Sequence, residues 1–265
     1  AGYDAVLPTL GDGFRAAAFT APPRARILAN FGVGYNHIDV AAAKAAGVTV
    51  TNTPGAVTDA TADIAVMLML MAARRAGEGE RLVRSGRWGG WQPTQMLGLH
   101  ISGKTVGIIG MGRIGRAIAR RCHFGFGMDV IFHNRSAVDP GLPAQQVGTL
   151  AEAMAADVVI VAVPGGPATH HLIGAAALAA MRPHAVFVNI SRGDVVDEAA
   201  LTDALERRAI GAAGLDVYEF EPAVPERLRA LENVVLLPHL GTNALEVREG
   251  MGMMAHDNLV AFFEG

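Results

Sequence analysis

Cysteine is almost absent from this chain of 265 residues: Cys122 stands alone. That excludes a disulfide framework and a cysteine-built metal cluster, and points to a reducing, cytoplasmic setting. An excess of charge of either sign is also lacking. The 22 Lys and Arg against 25 Asp and Glu leave a net charge of −3. No basic field exists to make nucleic acid or an anionic membrane the main partner. Charged residues are 18% and apolar ones 51%, which supports a large core and excludes disorder as the main state. No apolar run reaches the ~20 residues a bilayer requires. The longest, residues 60–73, is interrupted by Asp63 and reads as a buried helix. No signal peptide, internal repeat or low-complexity tract is visible.

What is present is alternation. Short β-branched runs at 26–29, 48–50, 105–109, 129–132, 158–163, 185–190 and 234–237 alternate with Ala-rich stretches of helical period. Nearly continuous apolar strands are expected where helices cover both faces of a parallel sheet. Strand–helix alternation along the whole chain means an α/β class. A segment from Gly86 to Pro93 holds both tryptophans, Trp88 and Trp91, among turn formers, and marks a boundary near residue 98. Gly and Pro gather again at Pro238 and Gly241, before a last helix starting near Asn243. The expected organisation is a first domain of residues 1–97, a second of 98–242, and a C-terminal helix, 243–265, returning to the first. A cleft between two such domains is a common small-molecule site.

One loop carries a specific signal. The buried run Thr105-Val106-Gly107-Ile108-Ile109 leads directly into Gly110-Met111-Gly112-Arg113-Ile114-Gly115, and a helical stretch follows. In this strand–loop–helix context the glycines read as a dinucleotide site. Gly110 permits a tight turn, Gly112 lets the main chain approach a pyrophosphate, and Gly115 lets helix and strand pack closely. Free N–H groups at the helix start face the anion. About twenty residues on, an acidic residue would read the adenosine ribose. Here the strand ends instead in Asn134-Arg135-Ser136. Arg135 suits a 2′-phosphate, which favours NADPH over NADH, with NAD the alternative.

Three further segments follow apolar strands: Asn189-Ile190-Ser191-Arg192-Gly193, Asp216-Val217-Tyr218-Glu219-Phe220-Glu221-Pro222, and Pro238-His239-Leu240-Gly241. Taken singly, each is weak. With the glycine loop, and with Asn30-Phe31-Gly32-Val33-Gly34 and Thr169-His170-His171-Leu172-Ile173, they resemble the D-2-hydroxyacid dehydrogenases over nearly the whole chain. The Asn134–Ser136 turn and the tryptophan segment look most like the glyoxylate/hydroxypyruvate reductase branch.

That resemblance implies two doubly wound, Rossmann-like domains with parallel sheets and an interdomain cleft. It implies reduction of a small 2-keto acid to the D-2-hydroxy acid, with Arg192, Glu221 and His239 as the catalytic set. Arg192 would fork the substrate carboxylate and polarise the keto oxygen. His239 would act as acid/base, and Glu221 would orient the imidazole and favour its charged form. In the substrate-binding loop Gly32, Val33 and Gly34, the main-chain N–H groups of Val33 and Gly34 would bind the other carboxylate oxygen. Val163, Pro164 and Thr169 would flank the adenine and pyrophosphate side. Ile190, Ser191, Asp216 and Gly241 would line the nicotinamide end, together with His239. No metal is implied, and the adjacent His170 and His171 read as structural. Members of the family begin with a further strand and helix, so the first domain is expected to lack its N-terminal segment. They form two-fold dimers through the region of residues 58–91, so a homodimer is expected; the alternative is that both tryptophans cover the hinge. Two other readings remain open: an NADH-linked dehydrogenase for another 2-hydroxy acid, and an NAD(H)-sensing, corepressor-type binding protein on the same fold.

Overall fold

The chain, described over residues 2–265 in a computed structural model, divides into two units. One comprises residues up to Ala60 together with Thr242–Gly265, the other Thr61–Gly241.

The first unit is built on three parallel strands, β1 (Ala5–Val6), β2 (Ile27–Ala29) and β3 (Thr49–Thr51), in that order. Every residue of β2 is buried, because both of its neighbours are strands and helices close over it. The helix Val40–Ala45 starts at Asp39, whose carboxylate accepts the Ala42 N–H at 2.9 Å, an N-cap of the expected kind. The helix Leu245–Glu264 also belongs to this unit. Its Asn258 amide donates to the Asn52 carbonyl at 3.2 Å. Near its end the Arg26 guanidinium lies over the Phe262 ring, 5.1 Å from the centroid.

The second unit is a seven-stranded parallel sheet. Its strands are β4 (Thr105–Ile109), β5 (Asp129–His133), β6 (Gln145–Gln146), β7 (Val158–Val161), β8 (Val186–Asn189), β9 (Ala212–Leu215) and β10 (Val234–Leu236), in the order β10-β9-β8-β7-β4-β5-β6. Alternate residues of one strand serve opposite faces. Val158 and Ile160 enter a core shared with Ile108, Ile118 and Phe132, whereas Val159 and Val161 enter another shared with Met154, Phe187 and Leu201. Two buried faces explain why these runs are apolar without alternation.

The first junction lies well before the residue-98 boundary read from turn composition. The helix Thr58–Ala73 is the reason. Its Ala62, Ala65, Leu68, Met69 and Ala72 are buried in the core of the larger sheet. A β-carbon on Gly214 of β9 would come 2.9 Å from that of Leu68. This Ala- and Met-rich helix is a layer of the second unit, and the Gly/Trp segment that follows is a loop on that unit's surface.

In a parallel sheet every C-terminal strand end lies on one edge, and the strand order turns back between β4 and β7. Ligands of such sheets bind at that edge. Every residue of the second unit expected in the site follows one of those strand ends.

Candidate active site

The glycine loop leaves β4 at the turning point of the strand order. Gly110 has φ +99°, and a β-carbon there would meet the Ala162 carbonyl and Val163 at 2.8 Å. A β-carbon on Gly115 would fall 2.0 Å from the Gly110 carbonyl oxygen, so helix and loop touch through backbone alone. Gly112 differs: the space beside it is open to 4 Å. It precedes the helix Arg113–Arg120, whose start no side chain caps, so the first-turn N–H groups of Arg113 and Ile114 are left to serve an anion. These residues fit a pyrophosphate. Asn134, at the end of β5, accepts the Met111 N–H at 3.3 Å and donates to the Ser136 carbonyl at 3.0 Å, which braces the turn against the glycine loop. Arg113 and Arg135 are exposed, and neither guanidinium is bonded among the described residues. Val163 and Pro164 follow β7 beside Gly110. The Thr169 hydroxyl folds back to donate to the Pro164 carbonyl at 2.7 Å.

Arg192, Glu221 and His239 follow β8, β9 and β10, three adjacent strands. His239 Nδ1 lies 2.9 Å from Glu221 Oε2. The other Glu221 oxygen accepts the Tyr218 N–H at 3.0 Å, so the carboxylate is fixed at both oxygens. Burial opposes its ionisation, but the His239 ring, the Tyr218 N–H and the nearby Arg192 charge outweigh that and hold it below the usual carboxylate range. Arg192 is half-buried, and burial pulls its pKa down against the charges of Glu221 and Asp194. One of its terminal nitrogens donates to the Ser191 carbonyl at 2.6 Å, leaving further donors on the fork.

Asp216 does more than the sequence implied. Its two carboxylate oxygens accept the N–H groups of Leu240 at 2.6 Å and Gly241 at 2.8 Å. His239 has φ +55°, a left-handed conformation that costs a non-glycine residue about 1 kcal/mol. Asp216 holds the chain just past that strained residue, and its own carbonyl accepts the His239 N–H at 2.9 Å. Burial raises the Asp216 pKa, and the two N–H donors and His239 recover only part. Ile190 and Ser191 are buried at the β8 exit, where Asn189 Oδ1 accepts the Ser191 hydroxyl at 2.9 Å.

Three positioning residues were not foreseen. Asn189 shapes the Arg192 turn, and its amide donates to the Arg192 carbonyl at 3.0 Å. The Tyr218 hydroxyl donates to the Leu237 carbonyl at 2.9 Å, tying the β9 exit to the β10 exit. Glu198 is buried and exchanges bonds with Glu219: each backbone N–H donates to the other's carboxylate, at 3.4 and 3.3 Å. Tyr218 lay within a motif that drew attention to its carboxylates; Glu198 carried no sequence signal.

Two histidines outside the catalytic set meet carboxylates. His171, expected to be structural, has Nε2 2.7 Å from Glu219 Oε1, and His184 Nε2 lies 2.7 Å from Asp157 Oδ1. Both partners are distant in sequence, where spacing says nothing.

In the first unit, the loop after β2 turns its carbonyls inward. The buried Asn30 amide donates to the Gly32 and Gly34 carbonyls at 2.9 and 3.1 Å, and the Asn52 amide to that of Val33 at 2.9 Å. The N–H groups of Val33 and Gly34 donate to nothing among the described residues, the character of an anion-binding backbone loop.

The family described as D-isomer specific 2-hydroxyacid dehydrogenase, NAD binding domain, matches residues 66–241. A glyoxylate reductase of Thermococcus onnurineus is 44% identical over 269 residues, covering 99% of this chain and 80% of its own length. One from Korarchaeum cryptofilum is 44% identical over 267 residues, with coverage of 99% and 80%. Among solved structures, a protein from Thermus thermophilus superposes with a TM-score of 0.93 at 41% identity, covering 100% of this chain and 84% of that one. An NADPH-dependent glyoxylate/hydroxypyruvate reductase of Sinorhizobium meliloti, solved with NADP and malonate, gives 0.90 at 41% identity, covering 98% and 81%.

Proposed function

The chain belongs to the D-isomer specific 2-hydroxyacid dehydrogenases, in their glyoxylate reductase-like branch, and from that premise we propose how its residues divide the work. It is an NAD(P)-dependent oxidoreductase acting on a CH–OH group, and it reduces a 2-keto acid. We assign glyoxylate or hydroxypyruvate as substrate, the D-2-hydroxy acid as product and NADPH as the favoured cofactor. The observation that carries the reading is the His239–Glu221 pair at 2.9 Å, with the Arg192 charge acting on the same carboxylate.

A reduced nicotinamide, when bound, supplies the hydride to the keto carbon. The chain's own groups do the rest. The backbone of Gly110, Gly112, Arg113, Ile114 and Gly115 holds the pyrophosphate. The unpaired guanidiniums of Arg113 and Arg135 meet a 2′-phosphate beside Asn134 and Ser136. Val163, Pro164 and Thr169 border the adenine side. Ile190, Ser191, Asp216 and Gly241 border the nicotinamide. Arg192 pairs with the substrate carboxylate and draws charge from the keto oxygen. Glu221 holds His239 Nδ1, which leaves Nε2 as the atom that donates a proton to the developing alkoxide. The N–H groups of Val33 and Gly34, in the loop that includes Gly32, serve as further carboxylate donors.

The reading extends to a cytoplasmic homodimer. No helix among the described residues is long and apolar enough to cross a membrane. The helix Thr58–Ala73 leaves a groove of about 500 Å³ lined by Val66, Met67, Leu70, Met71 and Phe126, and Trp88 and Trp91 are exposed. Light scattering in solution tests the dimer.

The deciding experiment is a panel of 2-keto acids with NADPH and with NADH, repeated with His239→Ala. Turnover of glyoxylate or hydroxypyruvate, lost in the variant, supports the assignment. Turnover of another acid with NADH alone moves the chain to the NADH-linked reading. Absence of turnover, with oligomerisation that follows cofactor, moves it to the sensing reading.

A further inference from the structure

Beside the reductase site, one cluster in the second unit brings donor atoms together without an assigned role in hydride or proton transfer. One ligand atom from each of His170, His171 and Glu219 lies within 4.8 Å of the others. The two imidazoles stack, with centroids 4.1 Å apart and planes at 23°. His171 Nε2 sits 2.7 Å from Glu219 Oε1. A single His–carboxylate bond accounts for His171 and Glu219 but leaves the His170 ring stacked on its neighbour with no hydrogen bond of its own among the described residues.

The three positions are held from behind. The His170 N–H donates to the Gly166 carbonyl at 3.1 Å and the His171 N–H to that of Asp194 at 2.8 Å. Glu219 Oε2 accepts the Glu198 N–H, and the Glu219 N–H donates to the Glu198 carboxylate. The Glu219 carboxylate is therefore oriented, with Oε1 turned to the histidines. The histidines are exposed and Glu219 is half-buried, so the cluster is open to an ion in solution while its carboxylate is already partly desolvated.

We propose that His170, His171 and Glu219 form a binding site for a borderline divalent transition cation of the zinc type. Two imidazole nitrogens and one carboxylate oxygen match the ligand preference of that class, and hard cations such as Mg²⁺ and Ca²⁺ prefer all-oxygen sets. Bonds of about 2.1 Å in a tetrahedron set the ligand atoms roughly 3.4 Å apart. Closing the 4.8 Å spread to that requires the two imidazoles, both exposed, to turn toward the Glu219 carboxylate. The cation takes the place of the direct His171–Glu219 contact, and water fills the fourth position. Cys122 does not compete: it is buried, and burial pushes its thiol up to about 12.

The test is calorimetric titration of Zn²⁺ into the chelator-treated full chain, with far-UV dichroism to verify that each variant is folded. Wild type is expected to bind one Zn²⁺ with a Kd of about 10 µM or tighter. His170→Ala, at an exposed ring, and Glu219→Gln are each expected to weaken binding at least ~10-fold. His239→Ala removes the other histidine–carboxylate pair near the sheet edge and is expected to leave the Kd within about threefold. With Co²⁺ as the probe, wild type shows the visible bands of four-coordinate metal and His170→Ala does not. Weaker wild-type binding, loss of binding in His239→Ala, or unchanged binding in His170→Ala overturns the proposal. Because no readout depends on turnover, its failure leaves the reductase assignment standing.

Discussion

Replacing Gly193 by alanine perturbs the catalytic geometry without touching a reactive group. Gly193 directly follows Arg192 and opens the short turn Gly193–Val195. A β-carbon there would lie 1.8 Å from the Tyr218 carbonyl carbon, 1.9 Å from its oxygen and 2.3 Å from the Glu219 nitrogen. All three are backbone atoms, so no side chain can swing away. Non-bonded carbons settle near 3.5 Å, so the two segments must part by roughly 1.7 Å. The segment pushed away carries the Tyr218 N–H that fixes Glu221 and the Tyr218 hydroxyl that ties down Leu237, two residues before His239. Arg192 is on the other side of the same wedge. A displacement of about 1 Å at a catalytic group costs on the order of 10²-fold in rate, near 2.7 kcal/mol. Overpacking of this kind also costs about 1–3 kcal/mol of stability. The assay is steady-state reduction of glyoxylate with NADPH, followed by loss of reduced-nicotinamide absorbance, beside a fluorescence titration of the cofactor. We expect kcat to fall about 100-fold while cofactor affinity changes less than about threefold, since the glycine loop leaves β4 and β7 stands between it and β8. Wild-type kcat in a folded Gly193→Ala protein would refute the coupling of the two loops.

Three other outcomes follow from the same geometry. Arg192→Ala should lower kcat/KM for the keto acid about 10³-fold, roughly 4 kcal/mol, and Arg192→Lys should restore only a small part, because an ammonium cannot fork; equal activity of Lys and Arg would remove the fork from the mechanism. Arg135→Ala should raise KM for NADPH at least ~10-fold and leave NADH within about threefold; equal effects on both would detach that residue from the 2′-phosphate. Asp157 is buried, which alone would raise its carboxyl, but His184, the Thr105 N–H and Arg182 outweigh burial and bring it to about 2 from 3.8. The depressed value means stability present above pH ~3.8 and lost as pH falls through about 2, worth on the order of 2 kcal/mol. Urea denaturation should show the gap between wild type and Asp157→Asn shrinking over that window, and a constant gap would assign the difference to packing.

Local signals made much of the second unit legible. Gly110 and Gly115 were readable because each demand is local: a positive φ in one case, a backbone contact between a helix and its own loop in the other. The strands were readable because two covered faces leave no polar alternation. The junction at Ala60 was not, because turn-forming residues mark where a chain bends and not which core a helix joins. Ala62, Leu68 and Met69 look alike in either core; only their neighbours Val106, Ile108 and Ile118 decide. The His171–Glu219 and His184–Asp157 contacts stayed hidden for a related reason. Their partners are 48 and 27 residues away, and no helical or strand period connects them.

Sheet register explains why three residues so far apart in sequence act as one set. Asn189 pairs with Leu215, and Leu215 with Leu236, so the last residues of β8, β9 and β10 stand level across the sheet. Arg192 is three residues past Asn189, and His239 three past Leu236. Glu221 is six past Leu215, and its longer excursion is folded back by the Tyr218 N–H on its own carboxylate. A slip of one residue in any of these strands would turn its entire side-chain pattern to the other face. The buried runs Val186–Asn189 and Ala212–Leu215 could not tolerate that, because each already packs on both sides. The hydrophobic core therefore sets the position of the catalytic groups to within a residue, and the hydrogen bonds of Asp216, Tyr218 and Asn189 adjust the remaining ångström.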